Sequence, residues 1–184
     1  LKARVEKVYD LIEGMRLELE GRRPGGPAML KIGSREMITN YLLSPALLAF
    51  RRRHPETRFG IYELEPRQMA EALKKDLIDF AFYYHAEIPD PAIEIRRLGA
   101  LPSHIYAARS LLPGRRAPAG VRETLRLPFI APRYFQSDSA QPSLDGFPDQ
   151  RLPRNIQYEG EFLETHRRYV LDGIAAAVLP DFVI

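Results

Sequence analysis

Apolar residues near the start of the chain repeat alternately four and three positions apart, from Leu1 to Leu19. Charged residues occupy most of the positions between them. Such a narrow apolar stripe is typical of a helix that pairs with another helix. A plain surface helix remains the alternative, because the repeat is short and Gly14 interrupts it. The stripe positions that we assign to dimerisation are Val5, Val8, Ile12 and Met15.

From Met29 onwards, short apolar or alternating segments take turns with segments of helical periodicity. We predict strands over AMLKIG, TRFGIYE, LIDFAFYY, AIEIRRLG, SHIYAARS, LPFIAP, NIQYEG and IAAAVLP. We predict helices over Ile38–Arg53, RQMAEALKK and EFLETHRRYVLDG. In the first of these helices, Ser44 would cap a restart before Pro45. Strands separated by helices favour an α/β fold with a mostly parallel sheet and right-handed crossovers.

The composition is that of a globular domain: 184 residues, of which 45% are hydrophobic and 28% charged. A net charge of +3 is too small to indicate nucleic-acid binding by itself. The absence of cysteine excludes disulfides and thiolate metal sites. The apolar run GIAAAVLPDFVI is too short to span a bilayer, so we predict no membrane partner.

The motifs of common enzyme classes do not occur in the sequence. Neither G-x-G-x-x-G nor the P-loop pattern is found, and no G-x-S-x-G marks a nucleophile. The histidines lie far apart without the paired spacing of a metal site. The basic run Arg51–Arg53 ends a predicted helix, where cations interact favourably with the helix dipole. We therefore predict no catalysis, no metal and no cofactor.

A group of polar residues follows the first predicted strand: Ser34, Arg35, Glu36 and Thr39. In parallel sheets, ligands bind beyond the carboxyl ends of the strands, where helix N-termini present free N–H groups. These residues suit a carboxylate or similar anion, which Arg35 could pair with and Glu36 would repel. The alternative is that Ser34 only caps the following helix, as serine often does. The residues by themselves leave both alternatives open.

Several short motifs follow one another in a recognisable order. They are Gly33-Ser34 after a strand, Leu42-Leu43-x-Pro45, Leu47-Leu48-x-Phe50-Arg51, His54-Pro55, EALKKDLIDFAF with Asp79, and YVLDGIAAAVLP with Val170, Gly173 and Leu179-Pro180. Their order and spacing resemble the effector-binding domain of LysR-type transcriptional regulators. The resemblance covers nearly the whole chain and is weak from Pro113 to Pro153.

The resemblance implies two Rossmann-like lobes, as in type 2 periplasmic binding proteins, with an effector between the lobes. It implies a linker and dimerisation helix over 1–20, a hinge linker over 21–28, lobe I over 29–100 and lobe II over 101–184. The chain of the family returns to lobe I after about the point where this sequence ends. The family's DNA-binding winged helix-turn-helix would precede Leu1.

The resemblance also implies the residues that bind the effector. They are Ser34, Arg35, Glu36 and Thr39 after the first strand, Glu65 and Arg67 after the second, Tyr84 and His85 after the third, Ser103 and His104 near the crossover, and Pro132, Tyr134 and Phe135 in lobe II. The first-lobe helix, with Leu42 and Leu43, would pack on the partner subunit.

Three positions depart from the family pattern. Pro66 stands where Ser or Thr is common, Ala175 where a second glycine is usual, and Asp76 where the helix commonly ends in glycine. Pro66 offers neither a hydroxyl nor an N–H. We therefore expect Arg67 or a tyrosine to replace the missing donor, or the ligand to be less acidic.

We interpret the chain as the regulatory domain of a cytoplasmic LysR-type transcription factor. It would bind a small-molecule effector, such as an organic acid or an aromatic compound, and would form a homodimer or tetramer. DNA would be bound through a domain absent from this chain. A solute-binding receptor of the same fold and a small α/β enzyme are the alternatives. An export signal would indicate the receptor, and a base or nucleophile in the cleft would indicate the enzyme.

Overall fold

The computed structural model describes residues 2–22, 29–83, 90–112, 114, 120–132 and 145–184. The chain forms two compact units, Leu1–Ala100 and Leu101–Ile184. Within the described residues, no helix has the length and apolar character needed to cross a membrane.

The first unit contains α1 (Lys2–Arg22), β1 (Met29–Ser34), α2 (Glu36–Ile38), a π-helical segment (Thr39–Leu43), α3 (Ser44–Arg51), β2 (Arg58–Glu63), α4 (Pro66–Lys74) and β3 (Phe80–Ala81). The second contains β4 (Ser103–Tyr106), a 3-10 turn (Arg109–Leu111), α5 (Val121–Thr124), β5 (Phe129–Pro132), β6 (Ile156–Gly160), α6 (Leu163–Leu171), β7 (Ala177–Pro180) and a second 3-10 turn (Asp181–Val183).

The sheet of the first unit is parallel, with β1 between β2 and β3. β1 is buried because Leu30 and Ile32 are fully enclosed in the core. Gly33 is needed for this packing, since a Cβ at that position would lie 2.7 Å from Cδ1 of Ile78. The carboxyl ends of β1 and β2 are level, as Ser34 pairs with Glu63.

β3 begins later than the predicted strand over Leu77–Tyr84, whose last residue lies outside the described residues, and Asp79 takes a special role at its start. The Asp79 carboxylate accepts the Lys31 N–H at 2.7 Å, while the Asp79 N–H donates to the Lys31 carbonyl at 2.8 Å. One residue therefore satisfies both backbone groups of Lys31, which a longer β3 would otherwise pair.

The predicted helix Ile38–Arg53 begins two residues earlier and contains the π-helical segment. The predicted restart at Ser44 is wrong. Ser44 has helical dihedrals, with φ −52° and ψ −50°, and its N–H donates to the Thr39 carbonyl five residues back. Pro45 has no N–H to donate, and the widened turn lets the helix continue past it.

Helix α1 packs on α3 and on the π-helical segment of its own chain. Val8 and Ile12 are buried there, with 3% and 0% of their surface exposed. The ring of Tyr9 lies 5.7 Å from that of Phe50, and its hydroxyl accepts a hydrogen bond from Arg53 at 3.1 Å.

In the second unit, β4 pairs antiparallel with β7, and β5 pairs parallel with β6. A parallel bridge between Phe129 and Ala176 connects β5 to the segment that leads into β7. The core here is built on Leu127, Phe129 and Ala176. β4 covers only the first half of the predicted strand SHIYAARS, because a 3-10 turn follows at Arg109.

A buried arginine holds the segment that precedes β6. The Arg154 side chain is fully buried and donates to Asp149 at 2.6 and 2.7 Å and to Asp145 at 2.8 Å. Its guanidinium carbon also lies 4.4 Å from the ring centre of Phe147. The hydrogen bonds and charges of the two aspartates raise the pKa of Arg154 against the opposing effect of burial. The Arg154 guanidinium therefore stays charged inside the unit.

The predicted strand Ala92–Gly99 is wrong. These residues join no described strand, and Ile95 is 54% exposed although it alternates with Ile93 as in a strand. Alternation shows which residues could share a face, but a strand also needs a partner for its backbone groups.

Candidate functional site

The polar residues at the end of β1 lie at the carboxyl edge of the first sheet. Ser34 is the last residue of β1 and is fully buried, while Arg35 is 8% exposed and occupies the N-cap position of α2. Of the two alternatives for Ser34, helix capping is wrong, because its Oγ lies 3.4 Å from the Arg35 carbonyl oxygen and contacts no N–H of α2. Thr39 is half-buried, and its N–H donates to the Arg35 carbonyl at 2.9 Å.

A glutamate from the neighbouring strand caps the helix instead. The Glu36 N–H, at the start of α2, donates to Oε1 of Glu63 at 2.9 Å. A carboxylate in this place is stabilised by the unpaired N–H groups and the dipole of the helix. Sequence reasoning missed Glu63. The available signal was its position at the end of β2, beside the end of β1.

A second glutamate connects β1 to α4. Glu65 is the N-cap of α4, where its N–H donates to Oε1 of Gln68 at 2.9 Å in a capping box. Its carboxylate also forms an ion pair with the guanidinium of Arg35. Two residues that we assigned separately to effector binding therefore contact each other.

We call Ser34, Arg35, Glu36, Thr39, Glu63 and Glu65 the strand-end cluster. The side chains of this cluster differ sharply in their exposure to solvent. Glu63 is exposed and the Glu65 side chain retains 34% exposure, whereas Ser34 has none. Arg67 follows in the first turn of α4 and is exposed. The cluster thus presents carboxylate oxygens to solvent and keeps the serine hydroxyl inside.

In the second unit, polar residues lie at the end of the β4–β7 pair where β4 begins. Ser103 and His104 begin β4 and are exposed, and the Ser103 partner in β7 is Pro180. Nδ1 of His104 lies 2.5 Å from Oδ1 of Asp181, which also accepts the Tyr106 hydroxyl at 3.1 Å. Partial burial and this bond to Asp181 raise the pKa of Tyr106 above its usual value. Sequence reasoning missed Asp181 and Tyr106 as partners of His104.

The remaining effector assignments fall into two groups. Pro132 ends β5 and is half-buried. The others lie outside the residues that the structure describes: Tyr84, His85, Tyr134 and Phe135.

The residues assigned to dimerisation all lie in the first unit. Val8, Ile12, Leu42 and Leu43 are buried within the chain, whereas Val5 and Met15 are half-buried. Intrachain packing thus accounts for the stripe positions Val8 and Ile12. The pairing of α1 between subunits stays a prediction.

The contacts described within the strand-end cluster are ion pairs and capping hydrogen bonds. None of these contacts joins a base to a nucleophile. Among the described residues, no three His, Cys, Asp or Glu side chains lie close enough together to hold a metal ion.

A family model of the LysR substrate binding domain matches residues 25–184. The chain belongs to this family. Domains of the LysR substrate binding family resemble type 2 periplasmic binding proteins, so the predicted fold class is confirmed. The LysR family consists of transcriptional regulators and is not a family of enzymes.

Solved structures of LysR regulators share this fold. HinK, a LysR family transcriptional regulator from Pseudomonas aeruginosa, has a TM-score of 0.64 and 21% identity, with 91% of this chain and 58% of that chain covered. CrgA from Neisseria meningitidis has a TM-score of 0.68 and 18% identity, with 95% and 57% covered. The BenM effector binding domain with its effector benzoate has a TM-score of 0.59 and 18% identity, with 86% and 72% covered.

The present chain thus spans less than three fifths of HinK and of CrgA. No curated protein gives a significant match to its sequence.

Proposed function

We propose that this chain is the effector-sensing part of a LysR-type transcription factor and that the strand-end cluster contacts the effector. Binding of a small molecule would change DNA binding by a winged helix-turn-helix elsewhere in the same regulator. The regulator would act in the cytoplasm as a homodimer or tetramer, and this chain would catalyse no reaction.

One observation carries the proposal. The family match covers 160 of 184 residues, from 25 to 184, and includes every element of the strand-end cluster. The cluster also lies where open parallel sheets bind ligands, beyond the carboxyl ends of β1 and β2. The BenM domain, which has the same fold, binds benzoate. A small organic molecule is accordingly the class of ligand that we propose.

The proposal is tested with a pair of isosteric variants. A thermal-shift screen of small acids, amines, amino acids and aromatic compounds first identifies a ligand, because binding to the native state alone raises the melting temperature. The affinity is then measured by calorimetry for Thr39→Val and Thr57→Val. Thr39 lies in the cluster, whereas Thr57 precedes β2 at the opposite edge of the sheet.

We expect Thr39→Val to weaken binding roughly two- to tenfold, the usual effect of losing one neutral hydrogen bond. Thr57→Val should leave the affinity unchanged. Equal affinities in both variants would exclude a contact between the ligand and the Thr39 hydroxyl. A screen without any stabilising compound would contradict effector binding by this chain.

A further inference from the structure

We infer that the effector presents a cationic or hydrogen-bond-donating group, such as a primary amine, to the strand-end cluster, because the chain's own glutamates already occupy the positions where a ligand carboxylate would bind. The inference rests on the proposed function, since it names the chemical class of the ligand for the same site. Two anion positions support it, one at each helix that begins beside the cluster.

The first anion position is the N-terminus of α2. Helix N-termini attract anions through unpaired N–H groups and the helix dipole. Here the first N–H of α2, that of Glu36, already donates to Glu63 at 2.9 Å. Glu63 reaches this place because it ends β2 in register with Ser34 at the end of β1.

The second anion position lies between the N-terminus of α4 and the guanidinium of Arg35. Glu65 occupies both sides of it, as the N-cap of α4 and as the ion-pair partner of Arg35. Arg35 is 8% exposed, so the guanidinium has little surface left for a second carboxylate. Pro66, directly after the cap, removes the next N–H that could have bound an anion.

A ligand carboxylate would therefore have to displace one of these glutamates or bind close to both. Displacement competes with an intramolecular partner that the strand ends hold in place, and close binding brings like charges together. Both effects weaken carboxylate binding.

The same geometry favours a donor group. Each carboxylate has several lone-pair sites, and the bonds described use only part of them. Glu63 is exposed, and the Glu65 side chain is 34% exposed, so an ammonium group can reach their outer oxygens. Hydrogen bonds between an ammonium and a carboxylate are charge-assisted and among the stronger ones in proteins.

The inference is tested with ligand pairs that share a skeleton and differ in charge. The probes are benzylamine and benzoate, phenethylamine and phenylacetate, and cyclohexylamine and cyclohexanecarboxylate. Binding of each probe to the wild-type chain is measured by thermal shift and calorimetry at one ionic strength. We expect the amine of a pair to bind at least about tenfold more tightly than its carboxylate, as one charge-assisted hydrogen bond provides.

Two variants test whether the preference for amines comes from the glutamates of the cluster. Glu63→Gln and Glu65→Gln keep the shape of the side chain and remove the negative charge. Each should reduce amine affinity roughly tenfold or more and should raise carboxylate affinity. Glu71→Gln is the matched control, because Glu71 is an exposed glutamate of α4 that pairs with Lys75 at 3.7 Å, away from the cluster. The control should bind every probe as the wild type does.

The outcomes separate this inference from the proposed function. If carboxylates bind the wild type more tightly than amines, or if the two cluster variants bind amines as tightly as the Glu71→Gln control, the assignment of a cationic group is wrong while effector binding stands. If no compound of the broader screen, whether acid, amine, amino acid or aromatic, stabilises the chain, the proposed function and this inference both fail.

Discussion

At the scale of single residues, His166 makes the stability of the folded protein depend on pH. It lies in α6 with 2% of its surface exposed, and Nε2–H donates to the Gly160 carbonyl at 3.0 Å. Burial lowers the pKa of His166 below its usual value of 6.5, as does the nearby Arg154 charge, while the Gly160 bond and Asp145 oppose the shift. The folded state therefore favours the neutral ring.

We expect this histidine to make the protein less stable in acid. Because its pKa is lower in the folded state than in the unfolded state, the unfolded chain takes up the proton first as the pH falls. The stabilisation is complete above pH 6.5 and decreases as the pH falls from 6.5 towards the lowered pKa of the folded state.

Urea unfolding of the wild type and of His166→Gln at several pH values measures the effect. Below pH 6.5, the wild type should lose stability relative to the variant. Between pH 7.5 and 8.5 the difference between them should stay constant. A constant difference over the whole range would mean that His166 has the same pKa in both states.

Asp76 carries backbone strain at the end of α4. Its φ of 54° is in the left-handed region, and the N–H of Leu77 donates to the Ala72 carbonyl at 2.9 Å, as in a Schellman motif. Glycine adopts this conformation without a Cβ penalty, whereas most other residues pay about 1–2 kcal/mol.

We predict that Asp76→Gly is more stable than Asp76→Ala by about 1 kcal/mol, with the wild type between them. Thermal unfolding of the three proteins gives the order. If the alanine variant is the most stable, the residue does not adopt the left-handed conformation in solution.

At the scale of elements, the contact between α1 and α3 is the clearest case of packing that the structure adds. Ile12 is fully buried in it, whereas Leu17 of the same helix is 57% exposed. His54, just beyond α3, lies 3.0 Å from Glu13, and its ring is 4.6 Å from that of Phe50. Apolar burial in the middle and polar contacts at the margin hold the two helices together.

We expect Ile12→Asp to destabilise the first unit by about 3–5 kcal/mol, because it replaces a buried side chain with a charge that has no partner. Leu17→Asp, on the exposed side, should stay within about 0.5 kcal/mol of the wild type. Urea unfolding measures the stability of both variants.

Sedimentation of the same variants tests subunit pairing through α1. Ile12→Asp should weaken self-association if the apolar stripe also forms the contact between subunits.

At the scale of the whole molecule, the near balance of charges argues against DNA binding by this chain alone. The chain has 27 basic and 24 acidic residues, and a net charge of +3 attracts a polyanion only weakly at long range. We predict that this chain alone binds a mixed-sequence DNA duplex with a Kd of about 10⁻⁴ M or weaker at physiological salt. Fluorescence anisotropy checks the value. Binding tighter than about 10⁻⁵ M would show that the sensing part itself contributes a DNA-binding surface.

The sequence by itself determined most of the strands and helices, apart from Ala92–Gly99 and α5, and the place where polar residues meet the end of β1. Periodicity identifies these because each element repeats its apolar residues with its own period. The family resemblance rested on the same local motifs, and the match over residues 25–184 confirms it. The strands at Met29–Ser34 and Arg58–Glu63 accordingly lie within a residue of their predicted bounds.

Only the tertiary structure decided which residues contact each other across elements. It paired Arg35 with Glu65, gave the start of α2 to Glu63, and left Ala92–Gly99 without a strand partner. It also buried Val8 and Ile12 of α1, the helix that packs on α3. The physical reason is common to all of them: a capping bond, an ion pair or a strand ladder needs a second segment, and its distance in space is set by the packing of the whole unit and not by the local sequence.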